Sequence, residues 1–122
     1  MPTWTLPIPR LTEEDWSRFL DKVDPPNEDG CLLWNASAPT GYGQFFINKR
    51  PYQAHRVSYT VLVGTIPQGL ELDHSFAKGC RSKLCVFPGH LEPTTHAENV
   101  RRGHAVRRYL ASIWVRTELD EG

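Results

Sequence analysis

The chain has 122 residues, of which 39% are apolar and 23% charged, with 14 basic and 14 acidic side chains and no formal net charge. That length suits one small domain, and the composition excludes a disordered or low-complexity chain. No apolar run approaches the roughly 20 residues that cross a bilayer, and residues 1–10, with three prolines and no basic stretch ahead of an apolar core, do not read as a signal peptide.

Residues 1–11 are proline-rich and read as an extended arm. Thr12, followed by Glu13, Glu14 and Asp15, reads as a capped helix start. Trp16, Phe19, Leu20 and Val23 supply its apolar stripe, and Pro25-Pro26 ends it. A turn over Asn27 to Gly30 leads to a short apolar strand, Cys31 to Trp34, and a loop from Ala36 to Gly43. Tyr42 to Ile47 is β-prone, Asn48 to Pro51 reads as a hairpin turn, and Tyr52 to Ala54 returns. His55 to Val63 has helical spacing but enough β-branching to leave a strand open, and Gly64 and Pro67 break it. Leu70 to His74 reads as a strand and Ser75 to Gly89 as irregular. Thr94 or Thr95 caps a helix running to Arg102, which Gly103 ends or kinks, and Ala105 to Thr117 forms a second, amphipathic helix. The expected fold is α+β: a single domain over 12–103, preceded by the arm 1–11 and followed by a helical extension with an acidic tail, 104–122.

The zero net charge is a cancellation. Residues 1–48 balance at minus four, residues 49–117 at plus seven, and three acids lie among the last five residues. A basic body between acidic ends suits a polyanion partner, although uneven surface charge is the plainer alternative.

Three cysteines cannot all pair within one chain. Cys80 and Cys85, with His90 five residues on and Cys31 upstream, make a Cys3His set, a sufficient tetrahedral shell for structural zinc. The segment around them is rich in glycine and proline and poor in apolar residues, so it needs an external constraint such as a bound metal. Buried free thiols, or a Cys80–Cys85 disulfide, are the alternatives.

Asp73-His74 ends the strand-like run, and Asn99 lies on the following helix. A hairpin followed by a helix brings such groups opposite one another. A neutral imidazole accepts a proton from water near neutral pH. Carboxylate and amide oxygens are hard donors suited to Mg²⁺ or Mn²⁺, and Arg56 offers a fixed cation for a phosphate. Each residue also has a purely structural reading: a hydrogen-bonded Asp-His pair, a solvated asparagine, a solvent-facing arginine.

In order along the chain come Gly30-Cys31-Leu32-Leu33-Trp34, Gly41-Tyr42-Gly43-Gln44-Phe45, Ala54-His55-Arg56, Leu70-Glu71-Leu72-Asp73-His74, Cys80-x4-Cys85-Val86-Phe87-Pro88-Gly89-His90-Leu91-Glu92-Pro93 and Thr95-His96-Ala97-Glu98-Asn99-Val100-Arg101-Arg102-Gly103. This combination resembles the HNH endonucleases, ββα-metal nucleases abundant in bacteriophage genomes, over roughly residues 16–103. Its cysteine and histidine spacing is similar to the His-Cys box homing endonucleases. The resemblance implies a ββα-metal core, with His74 as general base, Asn99 and Asp73 holding the catalytic Mg²⁺ or Mn²⁺, and Arg56 on the cleaved phosphate. It also implies structural zinc on Cys31, Cys80, Cys85 and His90. Two positions depart from the pattern. Cys80 follows His74 by six residues, where two is usual, and Phe87 stands where an asparagine commonly precedes the proline.

The expected activity is metal-dependent cleavage or nicking of double-stranded DNA, with Lys78, Arg81, Lys83, Arg101, Arg102, Arg107 and Arg108 contacting the backbone. A zinc-stabilised DNA-binding module without cleavage is the alternative. Val106, Tyr109, Leu110, Ile113 and Trp114 offer a homodimer face, though such a stripe also serves as core. The expected location is cytoplasmic, in the host if the chain is phage-encoded, with no membrane partner.

Overall fold

Thr12 opens α1 (Glu13–Leu20) with a complete capping box: its hydroxyl accepts from the Asp15 N–H, and the Asp15 carboxylate accepts from the Thr12 N–H, both at 3.1 Å. The computed structural model describes residues 6–121, with side chains through residue 112. The helix stops at Leu20, earlier than the proline pair predicts, because Val23 turns away to form a β-bridge with Trp34. Leu20 is consequently half exposed, while Phe19 is fully buried. Of the arm, Leu6, Ile8 and Leu11 pack against the core, and residues 1–5 lie outside the described residues.

The predicted strand Cys31 to Trp34 reduces to two isolated bridges, Val23 with Trp34 and Leu33 with Cys85. Neighbouring residues pair with different segments, so no ladder propagates. Trp34, Phe19 and Phe45 instead form an aromatic nucleus with ring centroids 4.9 to 5.9 Å apart.

β1 (Gln44–Ile47) and β2 (Arg50–Gln53) pair antiparallel around a two-residue turn. Asn48 and Lys49 sit at φ of 50° and 66°, the left-handed pair that matches the twist of a tight hairpin. Phe45 and Ile47 point inward and Phe46 outward, the two-residue period of a half-buried strand. Gly43 precedes this hairpin where the backbone meets Trp34; a Cβ there would lie 2.7 Å from the indole, so only glycine fits.

The ambiguous segment is a helix, α2 (Ala54–Leu62), with Ala54 to Ser58 all buried. Its Ser58 hydroxyl donates to the Val86 carbonyl at 2.6 Å, tying the helix to the cysteine-bearing segment. β3 (Glu71–His74) pairs antiparallel with β4 (Leu91–Thr94), in register Glu71 with Thr94 through His74 with Leu91. Leu72 and Leu91 join Ile66 in a second apolar cluster.

α3 (His96–Glu121) follows β4 directly, capped by the Thr95 hydroxyl, which accepts from the Glu98 N–H at 3.1 Å. It runs unbroken through Gly103, where the sequence predicts an end or kink. A glycine inside a helix costs about 1 kcal/mol relative to alanine, too little to end one that continues on both sides. Beyond Gly103 the predicted stripe divides: Tyr109 is 56% exposed and Leu110 44%, while Val106 is partly buried and lines a cleft. Ile113 and Trp114 fall outside the described side chains.

The chain is therefore α+β, with three α-helices and two two-stranded antiparallel sheets among the described residues. No described helix is long and apolar enough to cross a membrane.

Candidate metal centre and adjoining cleft

Cys31, Cys80, Cys85 and His90 are all buried, and their ligand atoms lie within 4.8 Å of one another. His90 turns Nδ1 toward the sulfurs, 3.6 Å from Sγ of both Cys31 and Cys85. Zinc–sulfur and zinc–nitrogen bonds of about 2.3 and 2.0–2.1 Å at the tetrahedral angle put sulfur and nitrogen about 3.6 Å apart. The donor set, its burial and its spacing all fit a structural zinc ion.

The local chain explains how the ligands meet. Asn27 accepts through its side chain from the N–H groups of Asp29 and Cys31, closing the turn that delivers Cys31. The long spacing from His74 to Cys80 is taken up by a single 3-10 turn, Phe76–Lys78, capped by the Ser75 hydroxyl. The Cys80 N–H then returns to the Ser75 carbonyl at 3.0 Å. Gly79 adopts φ of 102°, and a Cβ there would approach His90 to 3.3 Å, so glycine suits both backbone and packing. Phe87 covers the other side, its ring edge-on to His90 with centroids 4.9 Å apart. Burial pushes the Cys31 thiol upward, and the Cys80 contact together with burial pushes Cys85 upward. Metal loading must therefore displace protons.

His74, the last residue of β3, adjoins this centre. Its Nε2 lies 2.9 Å from the Cys85 carbonyl oxygen. Its ring stacks with Tyr42 at a centroid separation of 5.7 Å and lies tilted against His55 at 4.6 Å. Burial holds the His74 pKa below its ordinary value; the Cys85 carbonyl and Asp73 oppose that shift, and Lys83 adds to it. His55 is wholly buried with Nδ1 unpartnered, and burial with the nearby His74 and Arg56 charges holds it well below the usual imidazole range.

Asp73, His74 and Asn99 line one cleft of about 930 Å³ between α3 and the cysteine-bearing loop, together with Lys83, Arg102 and Arg107. Asp73 and Asn99, expected to act on one ion, each hydrogen-bond to a different partner. The Asn99 amide donates to Glu71 Oε1 at 2.6 Å. Arg102 donates to Asp73 at 3.3 Å, to Glu92 at 3.1 Å and to Glu98 at 3.2 Å. These are the four acids of the basic body, and all are gathered between the β3–β4 hairpin and the first turns of α3.

Arg56 is not brought to this cleft. It is 95% buried, donates to the Leu70 carbonyl at 3.2 Å, and lines a separate cavity of about 320 Å³ with Ile8, Thr60 and Gln68. The solvent-facing and phosphate-facing readings both give way to a buried strut: residue 56 falls on the inward face of α2, among five consecutive buried positions.

The expected DNA-contacting cations divide. Arg102 is tied to three carboxylates, Arg101 pairs with Glu98, and Lys78 with Glu92. Arg81 lies over the Phe76 ring and Lys83 over Tyr42. No ion pair involves Lys83, Arg107 or Arg108 among the described residues.

Sequence reasoning left Glu71, His96, His55 and Tyr42 without a role, though Glu71 precedes Asp73 by two residues, the spacing that puts both side chains on one strand face. No known family model matches this chain, and no curated protein or solved structure is found to be similar to it.

Proposed function

We propose that this chain is a metal-dependent DNA endonuclease or nickase of the HNH type, with His74 as general base, Asn99 and Asp73 holding a divalent cation, and zinc on the Cys3His centre. The observation that carries this reading is the His74–Cys85 contact inside a cleft shared with Asp73 and Asn99. A carbonyl oxygen only accepts, so Nε2 carries the ring proton and Nδ1 keeps its lone pair. The depressed pKa keeps that lone pair unprotonated at neutral pH.

His74 Nδ1 accepts a proton from water as the water oxygen attacks phosphorus, and the opposite phosphorus–oxygen bond breaks with its oxygen leaving as an alkoxide or alcohol. The oxygen donors of Asp73 and Asn99 suit Mg²⁺ or Mn²⁺. Bound there, such a cation supplies charge stabilisation at the phosphate and leaving oxygen. Arg102 must release Asp73 for that carboxylate to take part. Lys83 and Arg107, which line the cleft, are the cations suited to a backbone phosphate, the role the resemblance assigned to Arg56.

A second reading, a zinc-stabilised DNA-binding module without cleavage, is favoured by the engagement of Asp73 with Arg102. Supercoiled plasmid incubated with the zinc-loaded protein and Mg²⁺ or Mn²⁺ separates the two. The nuclease reading expects nicking by wild type and its loss in His74→Ala and Asn99→Ala. DNA binding without nicking by any of the three would favour the second reading, and equal nicking by wild type and His74→Ala would end the general-base assignment.

A further inference from the structure

We infer that Glu71 is a positioning residue for Asn99, turning its amide so that Oδ1, and not the NH₂, is presented to the divalent cation. The inference rests on the proposed nuclease reading, in which Asn99 holds that cation. The two ends of an asparagine amide are nearly equal in size, and only one is a metal ligand. An asparagine free to rotate about its last side-chain bond spends part of its time offering NH₂, which cannot coordinate. Glu71 removes that freedom through chemistry rather than shape. A carboxylate has acceptors only, so the Asn99 atom 2.6 Å from Oε1 is the NH₂ nitrogen, and Oδ1 points the other way.

Glu71 is itself held. Its side chain is 16% exposed, and both of its oxygens lie within 3.3 Å of His96 Nδ1. His96 and Asn99 are three residues apart on α3 and flank the same carboxylate from adjacent positions. The helix end that carries them is fixed in turn, since Thr95 caps it and the Asn99 N–H donates to the Thr95 carbonyl at 2.9 Å. Asp73 lies on the same strand face two residues on but is occupied by Arg102, leaving Glu71 as the carboxylate on the amide. An outer partner of this kind orients a ligand without touching the ion.

The test uses the full zinc-loaded chain and measures Mn²⁺ affinity by calorimetry, alongside the Mg²⁺ dependence of plasmid nicking. Glu71→Ala is expected to weaken Mn²⁺ binding about tenfold and raise the Mg²⁺ needed for half-maximal nicking by a similar factor, with nicking near wild type at saturating Mg²⁺. Glu71→Gln keeps a carbonyl acceptor for the Asn99 NH₂ and is expected to stay within about threefold of wild type, a gap from the alanine variant set by retention of one hydrogen bond. Equal losses in the two variants would mean that the charge of Glu71 attracts the cation from a distance, and would overturn positioning. Should Glu71→Ala not fold, the wild type still decides. Before Mg²⁺ is added, the Asn99 side-chain NH₂ is expected to show one proton shifted downfield and slow to exchange in NMR spectra, whereas solvent-like signals would overturn the inference. A wild-type chain that neither binds Mn²⁺ nor nicks DNA sinks the nuclease reading and this inference together. One that does both, with Glu71→Ala unchanged in affinity, sinks the inference alone.

Discussion

His74 Nε2 lies 2.9 Å from the backbone carbonyl of Cys85, a residue whose own Sγ faces the buried Cys3His centre. One residue thus serves two sites: its sulfur belongs to the candidate metal shell, and its peptide oxygen sets the tautomer of the proposed base. Chelation of the metal is therefore expected to abolish nicking together with stability, and not merely to soften the fold. Elemental analysis should give about one zinc per chain, as a complete four-ligand shell requires, and Cys31→Ser should lose most of it with a clear fall in Tm.

The depressed His74 pKa fixes the sign of the pH dependence. Only the neutral ring accepts a proton, so the nicking rate should rise with pH and level off. Because burial lowers the pKa from the ordinary 6.5, the midpoint of the rise should fall below that value. The rate at saturating metal, measured from pH 5 to 8, checks this. A midpoint above 6.5 would contradict it. His74→Ala should lose about 10²- to 10⁴-fold in rate.

His55 supplies a separate stability signature. It folds neutral, with a pKa well below 6.5, while the unfolded chain titrates near 6.5. Its contribution is full above about pH 6.5 and is lost progressively as pH falls from there toward the folded-state pKa. Thermal melts should show Tm falling through this window. His55→Phe, which preserves an aromatic ring against Tyr42 and His74, should flatten that part of the profile.

The division among the cations predicts unequal effects on DNA affinity. Arg107→Gln and Lys83→Gln should each lower the slope of log affinity against log salt by about one unit. Arg102→Gln should change the slope less and lower Tm more, because it leaves Asp73 without its cation and Glu92 and Glu98 with one cation each, Lys78 and Arg101. Binding isotherms at several salt concentrations distinguish the two behaviours.

What the sequence reveals follows from how local each cause is. The Thr12–Asp15 capping box and the β1–β2 hairpin turn are set by residues within a few positions, and both are legible, although the turn expected over Asn48 to Pro51 narrows to Asn48-Lys49 because Arg50 and Pro51 pair in β2. The Cys3His set is legible because few arrangements satisfy three thiols and an imidazole. β4 is not: Leu91-Glu92-Pro93-Thr94 is four residues long and contains a proline, and only its pairing with β3 makes it a strand. The partner of Asp73 is equally hidden, since the choice between Asn99 and Arg102 depends on how α3 lies against the hairpin. Arg56 shows the same limit, because its burial depends on a helix face that the sequence left between helix and strand. The continuity of α3 through Gly103 is a small cost overruled by the turns on either side.

The ligand shell has one more consequence, which concerns the unfolded chain. Cys31 and His90 are 59 positions apart, and β1, β2, α2 and β3 all lie between them. An ion binding all four side chains would close that interval into a ring. Ring closure removes configurational entropy from the denatured ensemble, and the effect grows only slowly with ring length. A single ion would therefore brace both sheets at once, and residues such as the 36–43 loop could gain or lose length inside the ring with little change in that benefit.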